Sequence, residues 1–489
     1  MSATPQQQSI GWAVAEATRL IQAGARLVCE FASSDGGAIK VHYILDVPGE
    51  GYRVLEETVN GALQSITPVT PAAAWYEREI KDQYGIELTG HPDPRPLLLH
   101  ENWPRGLHPM VADAQSVPWA DEHYDFLKVE GEGVCEVAVG PVHAGIIEPG
   151  HFRFSVVGDN VLYLELRHFY THKGTEKLFQ GTPVAYGQMI AESVSGDNCF
   201  AHAVAYCQAI EAAHSVVAPK QAQLVRLIGL ELERMISHIA DVGALSNDVA
   251  FVLPSAYCSR IKEDLMQASA RAVGTRFWKG IAVPGGVVRD IAPAAAEVLR
   301  NAVAQAASEF AKIANTILDR PSVQGRFEGA GVLPGSVVED LAVVGPVARA
   351  SGANRDVRRD HPYGAYGELP IHVPCLAYGD VLARARVRIE EVVVSARLLA
   401  DALGWLSSGP IRADVPPAVA FEGWSAVESP RGELLYWVKG ERGKLQRCSI
   451  KSPSFQNWPA LPHAVIGNVI ADFPLINKSF NLSYSGCDR

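Results

Sequence analysis

A chain of 489 residues is long enough for two or three domains with separate cores. Its 48% apolar and 20% charged residues give an ordinary globular composition, which excludes a disordered or fibrous chain. A formal charge of −11 excludes a nucleic-acid footprint. Eight cysteines without one Cys-x-x-Cys pair give no disulfide framework, and a reduced, cytoplasmic setting fits them. The opening Met-Ser-Ala-Thr-Pro-Gln-Gln-Gln shows no basic or apolar leader. No apolar run reaches the length of a membrane span, so work at a membrane is expected to go through partners.

Apolar residues at helical spacing (Ile10, Ala13, Ala17, Leu20, Ile21) predict a helix over 10–33. Residues 38–46 alternate as a strand, 48–51 turn, and 52–59 extend again. Over 71–86 the Glu/Arg spacing predicts an amphipathic helix ended by Gly85. Residues 1–103 thus read as a small α+β domain. Pro104, Gly106, Pro109 and Pro118 mark an extended linker over 104–127, and a second domain runs from 128 to 489. It opens with strands: 135–140 alternates, and 151–157 pairs with 161–166 across Gly158-Asp159-Asn160. From about residue 182 it turns helical, with long apolar periodicity over Ala201–Val217, Gln221–Leu245, Ala256–Lys279, Ala292–Leu318 and Asp380–Leu406. Such helices pack as an antiparallel bundle, so the fold class is α+β: a small α+β domain, then a mainly helical bundle with flanking strands.

Three stretches stand out chemically. The Gly/Pro-interrupted loop 140–154 gathers His143, Glu148, His151 and Arg153, which by themselves describe a polar surface loop. Arg355-Asp-Val-Arg358-Arg359 reads as a solvated or intersubunit salt-bridging loop, not a phosphate site. Gly329-Ala-Gly331-Val-Leu-Pro-Gly335 has the wrong spacing and context for a nucleotide loop.

Trp75-Tyr-Glu-Arg-Glu-Ile80, Gly85-Ile86 and Gly90-His-Pro-Asp93 resemble the C-type subunit of NADH-quinone oxidoreductase (complex I), a docking module without a redox centre. The second domain resembles the large subunit of membrane-bound nickel–iron hydrogenases of the formate hydrogenlyase type, and their relative, the D-type subunit of complex I. The motifs that carry this include Tyr170-Thr-His172-Lys173-Gly174, the run from Arg226 through Glu231 and Arg234 to His238, Ala350-Ser-Gly-Ala-Asn-Arg-Asp356, and Glu428-Ser-Pro-Arg431-Gly-Glu433. A fused C-like plus D-like chain is itself the arrangement of the formate hydrogenlyase branch.

The resemblance implies four thiolates, as two Cys-x-x-Cys pairs, around nickel and iron. Aligned on Glu192, Gly196 and His202, and on Tyr484 and Asp488-Arg489, those positions hold Ser195, Asn198, Ser483 and Gly486. No metal ligand is left. Cys199 and Cys487 sit one residue away, a step that turns a helical side chain by about 100°, and lone cysteines behave as small hydrophobes. The Asp488-Arg489 ending also resembles the D-type chain of complex I, whereas hydrogenases usually carry a further peptide.

In complex I the corresponding cavity takes a quinone headgroup, with a tyrosine in Tyr-x-His-Arg-Gly as its donor. Tyr170 matches that tyrosine, with Lys173 for the arginine; a neutral phenol suits the role, and a core tyrosine with a satisfied hydroxyl is the alternative. Glu148 matches the proton-relaying carboxylate of the hydrogenases, and Arg431 the arginine over the metal pocket. His143, His151, His172, Ser195, Asn198, Arg431 and Ser483 are expected to line the cavity. The loop carrying His143 and His151 is of the hydrogenase type, two residues longer than the quinone family's histidine loop, and neither histidine is equated with that family's.

The resemblance therefore implies a peripheral subunit on the inner face of the cell membrane. It passes electrons from an iron–sulfur cluster in a small B-like partner to quinone or another acceptor, and binds no cofactor alone. Antiporter-like and quinone-channel membrane subunits are implied partners, with a formate dehydrogenase or an NADH-oxidising module upstream. A true hydrogenase subunit and a non-catalytic coupling subunit are the alternatives.

Overall fold

A computed structural model describes residues 11–111, 118–144 and 147–489. The opening octapeptide, Ile10, residues 112–117 of the expected linker, and Gly145 and Ile146 of the 140–154 loop lie outside the described residues. Helix α1 (Trp12–Gln22) is shorter than the expected 10–33, because Gly24 takes φ +96° and β1 (Arg26–Asp35) follows at once. β1 pairs along its length with β2 (Ala38–Val47), which pairs with β3 (Gly51–Val59) in an antiparallel meander. This pairing outweighs the helical spacing of the same residues.

Helix α2 (Ala74–Tyr84) ends at Gly85, whose φ of +73° makes it the left-handed cap the sequence predicts. It is not a surface amphipathic helix, however. Glu77, Arg78 and Asp82 are buried with Tyr76 and Ile80, each charge satisfied by backbone or hydroxyl groups. Asp82 accepts the Leu97 and Leu98 N–H groups at 2.8 Å, which fixes the chain after the Gly-His-Pro-Asp turn.

The second unit opens with β4 (Val134–Val139), β5 (His151–Val157) and β6 (Asn160–Arg167), antiparallel, with the expected hairpin between the last two. Residues 118–133 form no regular element. They are strapped to this sheet: Leu127 N–H donates to Glu165 at 2.8 Å, and the Arg95 and Arg167 guanidinium groups lie over the Tyr124 ring.

Helix α3 (Cys199–Ala213) precedes four long helices: α4 (Lys220–Asp248), α5 (Val252–Val273), α6 (Pro293–Leu318) and α7 (Val381–Trp405). α4 packs on α5 and α7, and α6 on the same two, which closes a four-helix ring. α5 stops six residues before the expected Lys279 because Gly274 turns left-handed at φ +85°. Asp380 caps α7 by accepting the Ala383 N–H.

A third antiparallel sheet, β7 (Ala420–Ser429), β8 (Gly432–Glu441) and β9 (Lys444–Lys451), has no counterpart among the expected elements. Its central strand is buried almost without interruption from Gly432 to Val438, so the alternation that marks a half-exposed strand is missing. α3 lies across this sheet and the N-terminal meander covers its other side. The short α8 (Tyr484–Asp488) follows near the C-terminus.

The bundle core is not purely apolar. α4 turns Glu231, Arg234, His238 and Asp241 toward Arg384, Arg388, Glu391 and Ser395 of α7, and all eight are buried. Arg358 joins them. Instead of lying on a solvated loop it is fully buried, bound to Asp356 at 2.7 Å and Glu231 at 3.1 Å, while Arg355 and Arg359 keep surface partners.

His42 sits where the two units meet, within 5 Å of the Phe31 and Trp437 rings and bonded to Ser33 Oγ at 2.8 Å. Burial, with Lys40, Arg447 and Lys439 adding, holds its imidazole neutral down to about 3. An unfolded histidine titrates near 6.5. The depressed folded value therefore contributes stability that is intact above pH 6.5 and is lost as pH falls from there toward 3. Between pH 7 and pH 5 the stability gap between wild type and His42→Gln is expected to narrow by about 2 kcal/mol. Urea unfolding at both pH values measures it; a constant gap contradicts the buried neutral ring.

Candidate functional site

The loop before α3 and the N-terminus of α8 bring the former ligand positions together. Ser195 Oγ lies 2.9 Å from Ser483 Oγ and also donates to Asp197. Ser483 caps α8, its Oγ accepting the Gly486 N–H at 2.8 Å. A Cβ on Gly486 would sit 3.3 Å from Ser195 Oγ, so three of the four positions converge. Asn198 is buried at the start of α3, and its Oδ1 has no partner among the described residues.

This donor set does not fit a nickel–iron centre. It offers two hydroxyls bonded to each other, one amide and one position with no side chain, where soft anionic sulfur is required. Cys199 points elsewhere, its thiol directed at the Phe277 carbonyl, and burial pushes the Cys199 and Cys487 thiols far above their ordinary range. Among the described residues no three histidine, cysteine or acidic side chains come together to hold a metal ion.

Arg431 reaches the same place from the β7–β8 turn and bonds Asp197 at 2.9 Å and Asp241 at 2.6 Å. Burial alone would raise the Asp241 carboxyl, but Arg431, His238 and Arg388 hold it well below the usual carboxylate range. Asn481 donates to its other oxygen.

At the rim, Lys173 Nζ donates to the Val194 carbonyl and to Ser485 Oγ, both at 2.7 Å. The Ser485 N–H donates to Glu148 at 2.9 Å. Lys173 thus holds the two former ligand loops against each other, and Glu148 ties its own loop to the second.

His172 Nδ1 lies 2.5 Å from the Asp488 carbonyl, and burial keeps the ring neutral down to about 4. The Asp488 carboxyl accepts the Thr171 N–H and hydroxyl, and burial pushes it up to about 6. Arg489 runs back to Glu79 of α2 at 2.8 Å. These bonds anchor the turn that carries Tyr170.

Tyr170 itself is 39% exposed and packs edge-on against His100, ring centroids 4.6 Å apart. Partial burial raises its pKa, and its hydroxyl has no hydrogen-bond partner among the described residues. It makes no contact with the Ser195–Ser483 pair. His143 and His151 are held by their own loop: His143 Nε2 lies 2.7 Å from the Gly150 carbonyl and His151 Nδ1 3.0 Å from that of Gly140. Only glycine fits at 140, where a Cβ would strike the Gly150 oxygen.

The structure therefore joins Ser195, Ser483 and Arg431, and adds Glu148 at the rim. It places His172 behind the Tyr170 turn and the other two histidines at the neck of their loop. Asp197, Asp241 and Lys173 complete the site without having been expected there. Asp197 is signalled only by its place between positions 195 and 198; Asp241 gives no local signal.

Residues 13–117 match the family described as respiratory-chain NADH dehydrogenase, 30 Kd subunit, and residues 248–423 and 414–489 the family of the 49 Kd subunit. Formate hydrogenlyase subunit 5 of Escherichia coli (strain K12) is 34% identical over 87% of this chain and 76% of its own length. Hydrogenase-4 component G of the same organism is 32% identical over 93% and 81%. NADH-quinone oxidoreductase subunit 4 of Thermus thermophilus is 29% identical over 73% and 94%. A chain from the structure of the membrane-bound sulfane sulfur reductase, an archaeal respiratory membrane complex, superposes with a TM-score of 0.69 at 25% identity, covering 73% of this chain and 99% of that one. No helix among the described residues is long and apolar enough to cross a membrane. The chain is thus a fusion of a 30 Kd-type with a 49 Kd-type domain, and belongs to the family of oxidoreductase subunits that includes formate hydrogenlyase subunit 5 and hydrogenase-4 component G.

Proposed function

We propose that this subunit passes electrons from an iron–sulfur cluster in a small B-like partner to a quinone, which accepts two electrons and two protons beside Tyr170. The observation that carries the reading is the hydroxyl-for-thiolate exchange at Ser195 and Ser483, together with a tyrosine hydroxyl left without an internal partner. Tyr170 donates to the reduced quinone oxygen as negative charge develops on it. Glu148, at the rim, supplies the route for replacement protons. Residues 1–103 act as the docking domain, 104–127 as the linker and 128–489 as the electron-transfer domain. Peripheral attachment at the inner face of the membrane, through antiporter-like and quinone-channel subunits, completes the assembly, with a formate dehydrogenase or NADH-oxidising module as the electron source.

A second acceptor, sulfane sulfur, is favoured by the likeness to the sulfane sulfur reductase. Hydrogen chemistry is disfavoured by the donor set. Because the Tyr170 hydroxyl holds nothing in place, Tyr170→Phe leaves the fold intact. In the purified complex it is expected to lower quinone-dependent turnover by about 10- to 100-fold. Unchanged quinone turnover points to a coupling subunit, turnover with polysulfide alone to the second acceptor, and stoichiometric nickel to a hydrogenase.

A further inference from the structure

One stripe of α4 borders an open space instead of lying flush against α5. Glu233, Ile236, Ser237, Ala240 and Asp241 follow the i, i+3, i+4, i+7, i+8 spacing of a single helix face, and that face borders a cavity of about 220 Å³. Met266 and Lys262 of α5 form the opposite wall, with Phe277 and Trp278 beside them. Asp197 and Arg431 lie at its floor, and Phe277, half exposed, marks its opening. Neither Tyr170 nor any of the four former ligand positions lines it. The cavity shares Asp197, Asp241 and Arg431 with the candidate site, but not the Ser195–Ser483 pair or Tyr170.

We infer that this cavity binds one neutral, single-ring compound carrying a carbonyl oxygen. Size comes first: an apolar cavity of about 150 Å³ admits benzene, so the space here takes a ring with substituents. Apolar walls of Ile236, Ala240, Met266 and Phe277 suit the ring faces. Charge comes second. Asp197 and Asp241 are already paired with Arg431, and Arg276 at the edge is paired with Glu263 at 2.7 Å. An added anion would face two carboxylates, and an added cation would face Arg431 and Lys262.

The carbonyl is argued from Glu233. Its oxygens accept the Phe200 and Ala201 N–H groups at 2.7 and 3.0 Å. Burial pushes its carboxyl up to about 8, so at neutral pH it carries a proton. Ser237 Oγ and Trp278 Nε1, on the same walls, are buried without partners among the described residues. A buried donor without an acceptor is costly, and a ligand carbonyl relieves it. The inference does not rest on the quinone reading.

Saturation-transfer NMR on the full chain with acetophenone, benzoate and benzylamine tests it. Acetophenone is expected to bind, and benzoate and benzylamine at least 10-fold more weakly. Ala240→Phe from α4 and Met266→Trp from α5 fill the space from opposite walls, and each is expected to weaken acetophenone binding at least 10-fold while circular dichroism shows the fold retained. If one variant fails to fold, the other decides. The inference is overturned by an absence of acetophenone binding to wild type, by equal binding in a folded cavity-filling variant, or by tighter binding of either charged ring.

Discussion

Asp241→Ala is expected to cost about 3–5 kcal/mol of folding stability, the loss typical when one member of a buried ion network is removed. Asp241 is the acceptor for Arg431 at 2.6 Å and the counter-charge for Arg388 at 3.2 Å, and both guanidinium groups are buried. Truncation leaves Arg388 without its ion-pair partner and Arg431 with Asp197 alone, and Asn481 loses its acceptor as well. Asp241→Asn keeps an acceptor and removes the charge, so it is expected to fall between wild type and Asp241→Ala. The sign with pH follows from the depressed carboxyl. Its folded pKa lies below the ordinary value near 3.9, so its contribution is complete above that value and disappears as pH falls through the folded one. Urea unfolding at pH 7 measures the effect, and a loss below about 1 kcal/mol, the range of an exposed pair, contradicts a buried network.

Glu433→Ala is expected to be of similar size and to act between the two units. Glu433 accepts from Arg26 of β1 at 2.7 Å, from Lys451 of β9 at 2.7 Å and from the Tyr52 hydroxyl at 2.5 Å. Arg26 retains Asp46 at 3.1 Å, but Lys451 Nζ keeps only the Glu433 carbonyl. A lysine almost fully removed from water then has no counter-charge, which again costs about 3–5 kcal/mol. The anion also ties a strand of the first unit to a strand of the second. The variant is therefore expected to unfold in two steps and to be cut by protease within 118–133, which form no regular element. A single shifted transition without new cleavage shows that aromatic packing of Phe31, His42 and Trp437 suffices to hold the units together.

Much of the helical framework is legible in sequence, because long apolar periodicity survives when one face of a helix is buried. α4, α6 and α7 begin and end within a few residues of their expected limits for that reason. The β7–β9 sheet is not legible, since a strand covered on both faces loses its alternation. The first helix reads too long because Ala25, Leu27 and Val28 continue a helical pattern that Gly24 breaks and β2 then overrides. At the site, the motif spacing locates positions 195, 198, 483 and 486, and three of these converge. It does not show that Arg431 would be held by Asp197 and Asp241, or that His143 and His151 would close their own loop.

What the sequence by itself determines is the chemistry of those four positions. Serine, asparagine and glycine cannot supply thiolates in any fold, so the misfit to nickel and iron follows from composition at named places. Only the tertiary structure decides which charges are buried and paired. Asp241, Glu391 and Arg358 are separated by more than thirty residues in the chain, and no local pattern distinguishes them from solvated surface charges. Their burial is tolerated only because Arg431, Arg349 and Glu231 arrive from other elements at hydrogen-bond distance, and that meeting exists only once the bundle has closed.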